Sequence, residues 1–528
     1  GELFEKVVSY LSVFFHLIPV EFRDDASIAV EIIYVITVIL YFILMVGSAF
    51  YYKKNSKLPN SIVLLICILN GSYMHLIHPV ALNLASQELS LLIMGLPTSG
   101  SKVSNIVFTV LCFLTAFIYV FIFYKVMSVT LLFRPTSLLT TSNEPQMLLM
   151  LSTYTITIIT GIASSLSKLP YAILLFVSAV IMGLTVYTIF LPGSYVKSFD
   201  MRLVFAACTA GALNLIIIAI MGILDKPGSM VFLFIFIAIF VICYIAAIYV
   251  CHHFERSCLT TLDMIADDNG LIETFRSPNK LLRVACIGFK YAHPVCLDWS
   301  IFKEGTEIWP ESTLLWTSFG KFVAIYPEEN NLLTYIIRNI VTKKLKGGLA
   351  KQTISQGRTI LTQRETSLSP ELKKKMQHVG KTVQNAKRKL RQIWDLVIQG
   401  NLHEMEKAVN NAYKSVNKTQ AEFNYVLSQY PNNRFIARSY ARFIQEITAD
   451  GQLFVEWIEK VKILQRGMMA TIDHTNVLGI AAFPLLPPVL ATKSDGQNLG
   501  VTNETESAFS LEVDLDDGET VICKKPVD

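Results

Sequence analysis

Seven stretches of this 528-residue chain are long and apolar enough to cross a bilayer, and that excludes most other architectures. A spanning helix needs about 20 mainly apolar residues, because each residue advances only about 1.5 Å and every backbone polar group must be paired within the segment. Windows 28–51, 62–80, 103–127, 147–163, 171–191, 203–224 and 230–250 meet that requirement, the fourth being the shortest. Breaker clusters separate them at Lys57-Leu58-Pro59-Asn60, Pro97-Thr98-Ser99-Gly100, Lys168-Leu169-Pro170, Pro192-Gly193 and Lys226-Pro227-Gly228. With 52% hydrophobic and only 16% charged residues, the chain is too apolar for an ordinary soluble enzyme, and the excess lies before Cys251.

Lysine and arginine set the orientation. Lys53, Lys54, Lys57, Arg134, Lys197, Arg202 and Arg256 fall on one side of the windows, and Arg23, Lys102, Lys168 and Lys226 on the other. The first, larger set is expected to be cytosolic. An external N-terminus and a cytosolic region beyond Cys251 follow, in an integral membrane protein whose expected location is the plasma membrane.

The expected parts are four. Residues 1–26 read as an interfacial amphipathic segment, since Glu5, Lys6 and His16 interrupt the apolar core that a cleavable signal needs. Residues 27–251 form the seven-span domain and 252–470 a cytosolic helical domain. Residues 471–528 hold an apolar segment broken by Pro484, Pro487 and Pro488, then a flexible acidic tail. Asn503-Glu504-Thr505 in that tail is no glycosylation site if the tail is cytosolic.

Polar side chains inside spans are costly and therefore candidates for function. Asn70, His75, His78 and Asn214 form the candidate intramembrane polar site, with Tyr34 and Thr155 behind them. Interhelical hydrogen bonding is the plainer explanation of the same residues. No Asp, Glu, Lys or Arg falls mid-window, and Glu31 and Lys125 lie near window ends. A proton-coupled pump is therefore not expected, whereas a sensor for a small neutral or apolar ligand is compatible.

Of nine cysteines, Cys67, Cys112, Cys208, Cys243 and Cys251 lie in or beside apolar runs and act as small hydrophobes, so no disulfide framework is implied. Cys251-His252-His253 with Cys258, and His293 between Cys286 and Cys296, match no zinc spacing, so neither metal nor cofactor is expected. The net charge of +5 comes largely from stretch 343–391, bounded by Lys343 and Arg391. Anionic lipid suits such a stretch beside a membrane. Nucleic acid does not, because no aromatic interleaving accompanies the charge.

The cytosolic half repeats itself at an offset of 121 residues, pairing Trp309-Pro310 with Tyr430-Pro431. Leu314, Leu315, Phe319 and Phe322 match Phe435, Ile436, Tyr440 and Phe443, and Leu333 and Ile336 match Phe454 and Trp457. Each copy, about 309–340 and 430–461, reads as a helical pair of a tetratricopeptide-like solenoid. Between the copies, Ser369-Pro370-Glu371 has the cap, N1 proline and early acid of a helix start. Leu372, Met376, Val379, Val383, Ala386, Leu390, Ile393 and Val397 then recur at alternating spacings of four and three. After Gly400-Asn401 the pattern resumes as Leu402, Met405, Val409, Ala412, Val416, Thr419, Phe423 and Val426. A heptad hairpin over 369–428 is expected, which packs on itself and is also suited to form a homodimer. The fold class is thus all-α: a seven-helix transmembrane bundle followed by a cytosolic helical-repeat domain with a long heptad hairpin.

His16-Leu17-Ile18-Pro19-Val20-Glu21-Phe22-Arg23, and Tyr430-Pro431 with Arg438-Ser439-Tyr440-Ala441-Arg442-Phe443-Ile444, resemble the N-terminal portion of large multi-pass proteins of flagellate protists that end in an adenylate/guanylate cyclase catalytic domain. Lys389-Leu390-Arg391-Gln392-Ile393-Trp394 through Ala449-Asp450-Gly451 is similar to the helical segment preceding their PAS-like and cyclase modules, and to a broader protist and fungal set with tetratricopeptide-like cytosolic parts. The resemblance covers most of residues 3–469 and carries over no catalytic residue. It implies the sensor and transmitter region of a cyclase-related signalling protein, with the activity in a domain beyond this chain. A membrane scaffold that recruits partners is the alternative; a transporter or channel is less favoured, because the spans show no internal repeat. Asp263, Asp267 and Asp268 read as helix-start and solvated acids, and Gly347-Gly348 is followed by no lysine-serine pair, so no enzyme site is expected here.

Overall fold

Backbone N–H and C=O groups in an apolar environment must be satisfied by their own segment, which leaves the helix as the conformation for each long run of Leu, Ile, Val and Phe. The computed structural model describes residues 23–55, 58–96, 102–122, 130–133, 140–142, 144–193, 195–224 and 230–490. Residues 1–22 of the expected interfacial segment and 491–528 of the tail, with Lys57, Lys125 and Arg134, lie outside them.

The N-terminal half contains α1 (Arg23–Asn55), α2 (Asn60–Ile68), a π turn (Leu69–Tyr73), α3 (Met74–Ile93), α4 (Lys102–Ile122), α5 (Glu144–Ala163), α6 (Lys168–Thr185), α7 (Ser198–Leu224) and α8 (Met230–Asp267). Among the described residues, seven helices are long and apolar enough to cross a membrane. The second differs from the sequence expectation. Window 62–80 lies on α2, the π turn and the start of α3, whereas the candidate span is Met74–Ile93. Hydropathy favoured the earlier stretch because α3 carries Asn83, Ser86 and Glu88, but these side chains are buried against protein. Glu88 therefore lies inside a candidate span and corrects the expectation that only span ends hold acids. Asn105 of α4 donates to its Oε2 at 2.9 Å.

α3 is the best enclosed of these helices, packed against α1, α4 and α5. Gly161 of α5 permits the closest approach: a Cβ there would stand 2.5 Å from the Asn83 carbonyl oxygen. From α5 the packing proceeds through α6, α7 and α8 in chain order. The 38 residues of α8 extend about 57 Å, well beyond the hydrocarbon thickness. Below its apolar part, buried Glu255 accepts from Lys290 Nζ at 2.6 Å, Tyr291 Oη at 2.8 Å and Ser198 Oγ at 3.1 Å, tying α8 to the next helix and to α7.

The remaining helices are α9 (Pro278–Lys290), α10 (Pro294–Leu297), α11 (Ser300–Ile308), α12 (Thr313–Val323), α13 (Asn330–Thr342), α14 (Gly348–Arg364), α15 (Pro370–Ile398), α16 (Leu402–Gln429), α17 (Arg434–Phe443), α18 (Gly451–Gln465) and α19 (His474–Ala482). Side-chain caps start several of them: Ser369 Oγ accepts from Leu372 N, as the sequence predicts, and the structure adds Ser312 Oγ accepting from Leu315 N and Asn433 Oδ1 from Phe435 N and Ile436 N. Gly400 turns the α15–α16 hairpin at φ +70°, a left-handed conformation that suits glycine.

The internal repeat is exact in register. α12 and α17 start 121 residues apart, as do α13 and α18, and α11 and α16 end 121 apart. The helix preceding each aromatic-proline turn therefore belongs to the repeat. Phe302 on α11 stacks on Phe319 at 5.0 Å and meets Phe322 at 6.0 Å. Their counterparts repeat the packing, Phe423 on α16 meeting Tyr440 at 5.3 Å and Phe443 at 5.1 Å.

Candidate functional site

Tyrosine and histidine in an apolar bundle must exchange hydrogen bonds with neighbouring helices, and here they converge on one place. Tyr34 of α1 is fully buried; its Oη lies 3.0 Å from His78 Nδ1 and 2.6 Å from Thr115 Oγ1. Tyr119 of α4 donates to the Asn70 carbonyl at 3.0 Å and lies 3.2 Å from His75 Nδ1. Tyr41 donates to Asn70 Oδ1 at 2.6 Å, while Asn70 Nδ2 returns to the Ile66 carbonyl at 3.0 Å. The backbone prepares this arrangement, because a π turn at Leu69–Tyr73 disturbs the helical ladder at Asn70 and Pro79 withholds a donor from the His75 carbonyl. The His78 ring lies among Tyr34, Tyr119 and Tyr154 at centroid distances of 5.8, 4.8 and 6.1 Å, and its buried Nε2 has no hydrogen-bond partner among the described residues.

Asn70, His75 and His78 are thus gathered with Tyr34. Asn214 is half-buried on α7, and Thr155 is exposed on α5, donating to its own helix at Leu151 O. Sequence reading missed Tyr41, Thr115 and Tyr119, although Tyr34 and Tyr41 are seven apart and Thr115 and Tyr119 four apart, each pair on one helical face. The cysteine-histidine cluster does not converge: Cys251 and Cys258 are buried, whereas His252 and His253 are exposed. Asp268 caps Gly270 N at 2.9 Å, and Asp263 Oδ1 lies 3.1 Å from His293 Nε2.

A second constellation joins the connections between spans to the helical domain. Thr141 N and Ser142 N, ahead of α5, both donate to the Gly193 carbonyl at 3.1 Å, and Gly193 (φ +79°) has no room for a Cβ, which would meet Ser142 Oγ at 2.5 Å. Lys321 of α12 donates to the Thr141 carbonyl at 2.8 Å, with its ammonium 4.5 Å from the Phe133 ring centroid. Burial pulls the Lys321 pKa down to about 8, against a smaller upward pull from Cys286. Phe133 packs on Phe322 at 5.4 Å and edge-on to Phe483 at 4.9 Å, and Gln356 Oε1 accepts from Leu131 N at 2.7 Å. Two connections are so clamped onto α12, α14 and α19.

Corner residues lock the helical domain itself. Buried Arg364 pairs with Asp473 at 2.7 Å and donates to the carbonyls of Ala324 at 2.6 Å and Tyr326 at 3.4 Å. Asn433 Nδ2 donates to Ser367 O at 2.8 Å, and Asn432 Oδ1 accepts from Ala470 N and Thr471 N, each at 3.1 Å. Residues 358–469 match the family described as TmcB, TPR repeats. No curated protein and no solved structure matches the chain. This TPR-like region runs from inside α14 through the hairpin to just past α18, so it contains the second repeat copy while the first lies ahead of it.

Within the TPR-like region the hairpin seam follows the expected positions at its base, but toward the tip Leu396 and Ala408 are buried in place of the expected Val397 and Val409, because the helices rotate slightly against the heptad register. Leu372, Val379 and Phe423 are buried, with Met376, Val383 and Val416 packed against them. Leu390, Ile393 and Met405 are half-buried, and Val409 is 44% exposed; Leu402 belongs to α16 but its side chain is outside the described residues. The cover supplied by α17 and α18 reaches about as far as the Lys387–Glu446 ion pair at 2.5 Å. Beyond it, Trp394 and Ile398 are 68% and 83% exposed.

Proposed function

We propose that this chain is the membrane-embedded sensor and transmitter region of a signalling protein related to adenylate/guanylate cyclases, in which the helical-repeat domain takes up rearrangements of the bundle. The single observation that carries the reading is the clamp of Lys321 on Thr141, with Gly193 behind it. A signal entering the bundle would have to move these connections, and they are hydrogen-bonded to α12. The family match supports the helical-repeat part, for which protein interaction is the natural role; the cyclase relationship rests on the sequence resemblance. In this reading the N-terminus is external, residues 252–470 are cytosolic, the membrane is the plasma membrane and residues 1–26 lie at its surface. The basic stretch 343–391 would then meet anionic lipid, and the exposed Trp394 and Ile398 at the hairpin tip would meet a second copy.

The alternative is a static membrane scaffold that recruits partners through its TPR-like region. Hydrogen exchange on the full chain in lipid nanodiscs separates the two. Replacing His78 with Leu perturbs the polar cluster without touching the clamp, and the transmitter reading expects altered protection in α12 and α14. Unchanged exchange there, with altered exchange around α3, would favour the scaffold.

A further inference from the structure

The apolar part of α8 ends at Val250, yet the helix continues, and Met264 lies 14 residues, about 21 Å, further along. There a short 3-10 turn (Asn269–Thr274) folds back along α8 before α9 begins. A cavity of about 320 Å³ opens between them, a size typical of small-molecule sites. Met264, Ile265, Leu271 and Phe275 form apolar wall, and Arg276 and Lys280 stand at the same cavity.

The charged side has the features of an anion site. Arg276 and Lys280 form no ion pair among the described residues. They flank the first turn of α9, a 13-residue helix whose N-cap, Ser277, makes no side-chain capping bond. Pro278 has no N–H and the Ser277 carbonyl accepts from Lys280 N at 3.1 Å, so the positive charge at this end of the cavity is supplied by the two side chains. The nearby Asp268 is committed to capping Gly270 N at 2.9 Å and does not line the cavity.

We propose that this junction cavity binds an amphiphilic anion, with a phosphate or carboxylate head on Arg276 and Lys280 and a short hydrocarbon body against Met264, Leu271 and Phe275. Because the cavity stands where the last span passes into the helical domain, its occupancy would stiffen that passage. The binding claim does not depend on the transmitter reading.

Isothermal titration of the full chain in phosphatidylcholine nanodiscs, with the heat of empty discs subtracted, tests it using octyl phosphate as probe. Saturable binding is expected, weakened at least about tenfold in the Arg276→Gln, Lys280→Gln double variant. Met264→Gln, at an exposed position, should weaken it as well, whereas octanol and inorganic phosphate should each bind at least about tenfold more weakly than the probe. Both cationic side chains are exposed, so the double variant should keep the wild-type circular dichroism. Absence of saturable binding, unchanged affinity in the correctly folded double variant, or inorganic phosphate binding as tightly as octyl phosphate would overturn the proposal. Discs containing phosphatidic acid distinguish the source of the ligand: probe binding lost in them assigns the site to a bilayer lipid, and binding retained assigns it to a soluble amphiphile.

Discussion

Phe302 and Phe319 stack with ring centroids 5.0 Å apart, and the residues 121 positions later, Phe423 and Tyr440, meet at 5.3 Å. Each pair joins the helix before an aromatic-proline turn to the helix after it, so the two repeat copies share a core position as well as a register. Phe302→Ala and Phe423→Ala should each cost about 3–5 kcal/mol, since both rings are almost fully buried. Lys381→Ala, at an exposed position, should cost almost nothing. Denaturant unfolding of the full chain in detergent, followed by tryptophan fluorescence, measures all three, and equal losses would show that the aromatic pairs are not the core of the copies.

Lys321 gives the clamp a pH dependence whose sign follows from its depressed pKa. The folded value is about 8 against an ordinary 10.5. Below about pH 8 the ammonium is protonated in both states and the folded chain bears the cost of burying it. Between that pH and 10.5 the unfolded chain holds more protons, so stability rises with pH. Compared with Lys321→Met, the wild type should therefore gain stability as pH is raised through this window. A wild-type stability that stays flat or falls relative to Lys321→Met between pH 7.5 and 9.5 would show that the lysine is not desolvated.

Tyr34 should be the most sensitive hydroxyl of the bundle. Tyr34→Phe removes contacts to both His78 and Thr115 and should cost about 0.5–2 kcal/mol, the range for hydrogen bonds between membrane helices. Thr155→Val, whose hydroxyl bonds only within its own helix, should cost less. Thermal unfolding in detergent is the measurement, and similar losses at the two sites would deny the cluster any special role.

Topology can be tested by labelling single cysteines placed at Ser27 and Lys374. Ser27 should react with an impermeant reagent from outside intact cells, and Lys374 only after the membrane is opened. Reaction of both from one side would mean that a span is miscounted, and the least apolar candidates, Met74–Ile93 and Glu144–Ala163, would be the first to re-examine.

What the sequence determined by itself is what depends on neighbours along the chain. Apolar runs bounded by proline and glycine set the long helices, Ser369-Pro370-Glu371 starts the hairpin, and Gly400 turns it, because hydrogen bonds, caps and heptad spacing are local. The aromatic repeat is legible at its 121-residue offset, but its first helix is not, because α11 has 9 residues and α16 has 28. Tertiary structure decided the rest. Whether Glu88 faces lipid or protein, whether Tyr119 reaches Asn70, and whether Lys321 finds Thr141 depend on how helices rotate and cross. Those are energies of packing between residues 17 to 180 positions apart, and no spacing along one helix encodes them.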